Sequence, residues 1–248
     1  KQGKHSGAVF QDTDAYKWLE AAAFCIQIGK GNALRERADD LIGLIERAQQ
    51  PDGYLNTFFT IDSPELRWKN LTEGHELYCA GHLIEAAVAY YNATNSVQLL
   101  EVAKRFADLI ATVFGPEEGK CKGYPGHQEI ELALVKLYRV THDEKYLALA
   151  KHFLAERGKE PNYLLRELET TKDFRLFPEF AHYDAEYAQT HLSPVEQTTA
   201  EGHAVRAVYM YSAMADLAKE CDDEKMKQAC KTLWENITTK RMYITGGI

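Results

Sequence analysis

Thr72–Tyr91 reads TEGHELYCAGHLIEAAVAYY. Its apolar residues recur at helical spacing from Leu77 onward, and Gly74-His75 stands at its entrance. The same device returns twice. Gly126-His127 precedes the helical run of GYPGHQEIELALVKLY (123–138), and Gly202-His203 precedes that of EGHAVRAVYMYSAMADLA (201–218). A glycine lets the backbone turn sharply before a helix. The residue after it is expected in the first turn, where unpaired N–H groups and the positive dipole end face outward. Three helices that begin alike can direct His75, His127 and His203 into one cleft.

Working outward, five further helices are expected, near 13–28, 33–49, 96–114, 144–157 and 223–241, with the helix after Gly126-His127 near 128–141 and the one that carries Gly202-His203 near 196–219. The hairpin of 72–114 repeats at an offset of 47 residues: Ala86, Tyr91, Thr94, Ala103 and Phe106 match Ala133, Tyr138, Thr141, Ala150 and Phe153. Between helices lie a loop rich in aromatics and amides (53–71) and a long segment, 158–194, expected to be irregular. The latter carries Phe174, Phe177, Phe180, Tyr183 and Tyr187. No stretch alternates with period two, so little sheet is expected. Helical hairpins with alternating short and long connections fit an all-α fold, an α/α toroid of the (α/α)6-barrel type, incomplete in this chain. The short regular period of a tetratricopeptide solenoid is absent. Residues 1–248 are expected to form one partial domain.

Composition narrows the function. The 248 residues carry a net charge of −8 and no basic run interleaved with aromatics, which argues against nucleic acid. No apolar stretch approaches the roughly 20 residues of a membrane span. The five cysteines are scattered without a CxxC pair, so free thiols and no metal site are expected from them. Lys1 without a preceding Met, and the β-prone MYITGGI run at 242–248, suggest a chain cut at both ends. No signal peptide is recognised, and localisation is left open between cytoplasm and periplasm.

A histidine at a helix start more often satisfies a carbonyl or packs on a ring; three in similar places point to a shared site. Neutral imidazole donates at one nitrogen and accepts at the other, which suits sugar hydroxyls. His82, seven residues after His75, is expected deeper in the scaffold, and His142, His152 and His182 on the surface. HELYCAGH is not a zinc-protease HExxH, because its histidines are seven residues apart rather than four. Glu73, Glu76, Glu129 and Glu201 can form an acid/base pair. Their commoner role near a helix mouth is to cap it or meet its dipole.

The runs YKWLEAAAF, DGYLNTFF, RWKNL, HELYCAGHLIEAAVAYY, GYPGHQEIELALVKLYRVT, YAQTH, PVEQTTAEGHAVRAVYMYSAMADLA and MYITGGI together resemble glycoside hydrolase family 127, the β-L-arabinofuranosidase family. The resemblance implies an (α/α)6-barrel catalytic domain acting with retention on terminal β-L-arabinofuranosyl or related sugars of arabinose-containing glycans. It implies that His75, His127 and His203 contact the furanose. It also implies a cysteine thiolate nucleophile on a zinc site, and a glutamate acid/base, in motifs that follow MYITGGI. None of Cys25, Cys79, Cys121, Cys221 and Cys230 matches those motifs. Zinc is thus expected in the full-length parent, with no cofactor and no catalytic residue in this chain. The alternatives are a non-catalytic helical carbohydrate-binding domain, or another (α/α)6 sugar enzyme such as an epimerase or unsaturated glucuronyl hydrolase.

Overall fold

A computed structural model describes residues 3–178 and 182–248. Phe180, one of the aromatics noted above, lies outside the described residues. Ten α-helices are present among those described: α1 Asp12–Gln27, α2 Arg35–Ala48, α3 Thr57–Ile61, α4 Glu76–Thr94, α5 Gln98–Val113, α6 Ile130–Thr141, α7 Glu144–Glu156, α8 Tyr163–Thr170, α9 Ala204–Glu220 and α10 Glu224–Asn236. A π-helical turn, Ile237–Arg241, continues α10. The described residues contain one isolated bridge, Phe114 to Cys121, and no strand.

Burial sorts the helices into two rows. In α4 every residue from Glu76 to Tyr90 is buried, the mark of a helix covered on all sides. In α5 the buried set is Leu99, Leu100, Val102, Ala103, Phe106, Ala107 and Ile110, a single stripe on an outer helix. Helices α1, α4, α6 and α9 pack in sequence as an inner row. Each is backed by its hairpin partner, α2, α5, α7 or α10. These are four consecutive hairpins of an all-α toroid, with the ring incomplete in these residues.

The turns within hairpins explain the 47-residue repeat. Thr94 Oγ1 donates to Tyr90 O (2.6 Å), and Asn95, left-handed at φ 57°, donates its N–H to Tyr91 O (2.8 Å). One repeat later Thr141 Oγ1 donates to Leu137 O (2.8 Å), and His142, at φ 56°, donates its N–H to Tyr138 O (2.7 Å). The third such turn passes through Asp222 at φ 51°. Asn and Asp tolerate this region better than other side chains, which is why the turns are short and alike.

At the opposite end the expected boundaries shift. His75 is not in the first turn of α4; it occupies the N-cap position in the left-handed region, at φ 56°. α6 starts at Ile130, so His127 precedes it by three residues. Gly126 presses this loop against residues 71–72, donating its N–H to Leu71 O (2.9 Å), and a Cβ there would overlap the Thr72 carbonyl. The helix expected from Glu196 begins only at Ala204. Residues 197–203 are held irregular, with Gln197 donating to the carbonyls of Gln189 (3.2 Å) and Leu192 (3.0 Å). The segment 158–194, expected irregular throughout, contains α8, capped by Asn162 Oδ1 accepting from Leu165 N–H (3.2 Å). His152, expected on the surface, is buried on α7 at 5% exposure.

Gly81, inside α4, faces Glu129, and a Cβ at this position would overlap the Glu129 carboxylate. Helix propensity alone gives Gly→Ala in a helix interior a gain of about 1 kcal/mol. Forced displacement of a buried neighbour costs about 1–3 kcal/mol. Gly81→Ala is therefore expected to lower the denaturant midpoint, and an unchanged or raised midpoint would show that Glu129 does not pack there.

Candidate functional site

The ends where the inner helices begin surround a cavity of about 570 Å³. His75, His127 and His203 all line it. The rings of His75 and His127 lie 5.7 Å apart, and those of His127 and His203 5.6 Å. The structure thus brings together the three histidines singled out in the sequence, although their helix-start geometries differ.

Backbone partners fix how each imidazole presents itself. His75 Nδ1 is 2.5 Å from the carbonyl of Glu73, and His127 Nδ1 is 2.7 Å from that of Gln128. A carbonyl only accepts, so both Nδ1 atoms carry the proton and both Nε2 atoms are left as acceptors. His203 is reversed: its Nδ1 accepts the backbone N–H of Arg206 (3.4 Å) as the N-cap of α9, so its Nε2 carries the proton. The cavity is offered two acceptors and one donor.

All three imidazoles are held neutral. Burial pushes His75 down to about 4, with the Arg206 charge adding to the effect. Burial and the charge of Arg206 push His127 down to about 2, and the same two causes lower His203. Aromatic rings exclude water around them: Phe10 lies 5.0 Å from His75, Tyr78 4.4 Å from His127 and Tyr187 5.4 Å from His203. Phe177 covers His75 at 5.8 Å.

The four helix-mouth carboxylates take other roles. Glu73 Oε1 accepts from Arg175 Nε (2.8 Å) and Nη2 (2.6 Å), and its Oε2 accepts the N–H of Leu176 (2.8 Å). These bonds hold its carboxyl below the usual range against the opposing effect of burial. Glu73 lines the cavity, but as a clasp on the segment that carries Phe177. Glu76 accepts from Tyr54 OH and from Trp68 N–H (2.8 Å), and burial pushes it up to about 8. Glu129 is buried behind the cavity, 3.6 Å from His82 Nδ1, and burial raises its carboxyl. Glu201 pairs with Arg241 at 2.7 Å.

Other expectations fall out as follows. His82 is buried beneath Tyr78, ring to ring 4.5 Å, deeper than the three histidines as expected. His142 is exposed in its hairpin turn. His182 is exposed as expected, yet it stands at the cavity rim. Tyr78, Arg175 and Arg206 were not singled out in the sequence. Tyr78 and Arg206 each follow a site histidine by three residues, the spacing that places side chains on one helix face. Among the described residues no group of three His, Cys, Asp or Glu side chains is placed to hold a metal ion. No helix among them is long and apolar enough to cross a membrane.

Comparisons with known proteins place the fold and the sequence in one family. The family model for the β-L-arabinofuranosidase GH127 catalytic domain matches residues 1–248. A non-reducing end β-L-arabinofuranosidase of Bifidobacterium longum subsp. longum is 42% identical over 246 residues, 98% of this chain and 37% of that protein. A crystal structure of a GH127 β-L-arabinofuranosidase from Geobacillus stearothermophilus T6 superposes with a TM-score of 0.94 at 53% identity, over 100% of this chain and 39% of that one. A GH127 β-arabinofuranosidase of known structure gives a TM-score of 0.85 at 39% identity, over 100% of this chain and 37% of that one. The chain thus spans well under half the length of these relatives.

An imidazole whose folded pKa is depressed binds its proton in the unfolded chain first. Its contribution to stability is complete above about pH 6.5 and is lost as pH falls toward the folded value. In a histidine-selective NMR titration, His75 and His127 are expected to keep neutral-form shifts from about pH 8 to about pH 5. An inflection near 6.5 for either ring would mean that it is solvated.

Proposed function

The chain belongs to the β-L-arabinofuranosidase GH127 catalytic-domain family, and on that premise we propose that it forms the sugar-holding wall of a glycoside hydrolase. The whole protein would release terminal β-L-arabinofuranosyl or related residues from arabinose-containing glycans, with retention. The observation that carries this is the trio of neutral imidazoles, with the His127 ring 5.7 Å from that of His75 and 5.6 Å from that of His203, offering two acceptors and one donor to one cavity. Sugar hydroxyls both donate and accept, so each can meet a nitrogen with no charge to be desolvated. His75 and His127 would each accept a hydroxyl proton, and His203 would donate to a hydroxyl or ring oxygen. Phe10, Phe177 and Tyr187 would exclude water around the sugar and strengthen those bonds.

This chain's own residues do not supply the remaining chemistry. The thiol of Cys79 is fully buried, with its pKa raised chiefly by desolvation, and Cys121 is half-buried beside Tyr163 OH at 3.3 Å. The described residues do not fit a zinc site, and no step is assigned to zinc through them. Glu73, Glu76, Glu129 and Glu201 are each paired, bonded or enclosed, so none is assigned as acid/base. We assign the nucleophile, its zinc and the acid/base to parts of the protein beyond residues 1–248. By itself the chain is then a sugar-binding surface.

The 248-residue chain is expected to show no turnover of aryl β-L-arabinofuranosides and no stoichiometric zinc by atomic absorption. Turnover would place the catalytic groups within it.

In the full-length protein, variants must spare the backbone roles of the histidines. Asn tolerates the left-handed conformation at position 75 and can replace the N-cap at position 203. His75→Asn, His127→Ala and His203→Asn are each expected to lower kcat/KM about ten- to a hundredfold with the melting temperature nearly unchanged. His142→Asn, in an exposed turn, is the control. If two of the three site variants match the control, or lose stability while activity per folded molecule persists, the assignment fails.

A further inference from the structure

Arg206 lines the cavity from the first turn of α9, and its charge meets no carboxylate among the described residues. Its guanidinium carbon lies 5.0 Å from the centre of the Tyr187 ring. Its Nε is buried without a hydrogen-bond partner, and no carboxylate among the described residues forms an ion pair with it. Arg157 Nε is likewise buried without a partner, but the charges of three other arginines are met. Arg175 is held by Glu73, Arg139 by Asp216 (2.9 Å) and Glu220 (2.7 Å), and Arg157 by two backbone carbonyls.

Nor do the acids on the cavity wall answer it. The Glu73 carboxylate is taken by Arg175 and by the N–H of Leu176. Asp184, exposed at the rim, uses Oδ1 to accept the N–H groups of Glu186 (2.9 Å) and Tyr187 (3.1 Å). The imidazoles beside Arg206 are neutral and contribute no negative charge. A desolvated cation without a counter-charge is costly, and a planar guanidinium matches a carboxylate through two parallel hydrogen bonds.

We propose that Arg206 is the anion-receiving position of this cavity, taking a carboxylate in a two-bond fork next to the hydroxyl-binding imidazoles. The proposal rests on the sugar-pocket reading for what lies beside the carboxylate. That carboxylate has two possible sources, an acidic sugar ligand or an Asp or Glu side chain from the protein beyond residues 1–248.

The test uses the full-length protein with R206Q, R206K and R206A. Isothermal titration compares D-galacturonate with D-galactose, which differ by a carboxylate in place of a hydroxymethyl group. A ligand-borne carboxylate predicts that the wild type prefers galacturonate by about tenfold or more, that R206Q loses the preference and that R206K keeps part of it. A carboxylate side chain predicts no preference in any variant. It predicts instead a loss of about tenfold or more in kcat/KM of R206A on a neutral aryl arabinofuranoside, recovered on adding guanidinium ion, which a merely structural role would not allow. The absence of both a preference and a guanidinium-recoverable loss overturns the proposal. If no protein turns over the neutral glycoside, the hydrolase reading fails separately and the galacturonate preference alone decides this one.

Discussion

The guanidinium of Arg157 is fully buried, and the geometry of the cavity depends on it. It donates to the carbonyls of Pro125 and Ala188 (3.0 Å to the latter), and its carbon lies 4.8 Å from the Tyr124 ring centre. Pro125 lies two residues before His127; Ala188 follows Tyr187, whose ring packs on His203. One cation at the end of α7 therefore holds two site loops in mutual register. Such a group stays inside only because polar atoms meet it, here carbonyls and Glu131 at 3.6 Å. Removing it would leave two carbonyls and a buried acid without their partner, and two loops without a common anchor.

Around that anchor the loops fasten one another. Glu167 on α8 accepts the N–H groups of Leu71 and Thr72, both at 2.8 Å, and so steadies the strip on which Gly126 rests. Glu73 accepts from Arg175 and Leu176, drawing Phe177 over His75. Buried carboxylates here fix loops that have no regular structure of their own. The imidazoles they position stay neutral because they are desolvated and because Arg206 makes a further positive charge nearby unfavourable.

Much of this was legible in the sequence. The apolar stripes and the 47-residue offset came through because hairpin packing and the Thr94 and Thr141 turns impose them residue by residue. The three histidines were found because each stands beside a glycine at a helix approach. What brings them together was not legible. His75 caps α4 in a left-handed conformation, and His127 reaches the cavity because Gly126 allows two backbones to touch, a contact between loops distant in sequence. α8 escaped notice because its eight residues bury only Leu164 and Glu167, too few to show a period. His152 was misplaced because a single polar residue on an otherwise apolar face carries no pattern. Arg206 carries no sequence signal of its own, because what sets it apart is the absence of a carboxylate partner among the described residues around it.

The two ends of the helices follow different rules. At one end, short turns through Asn95, His142 and Asp222 set the spacing of the hairpins. At the other, loops of unequal length carry most of the groups that face the cavity, with Tyr78, Leu164, Leu168 and Arg206 added from the first turns of α4 and α9 and from α8. A change of loop at the cavity end leaves the spacing intact, so the frame works as a rack into which recognition loops can be exchanged. Specificity can then drift, or be engineered by grafting, through residues 66–75, 123–129, 172–178 and 182–190, without a new solution to how the helices stack.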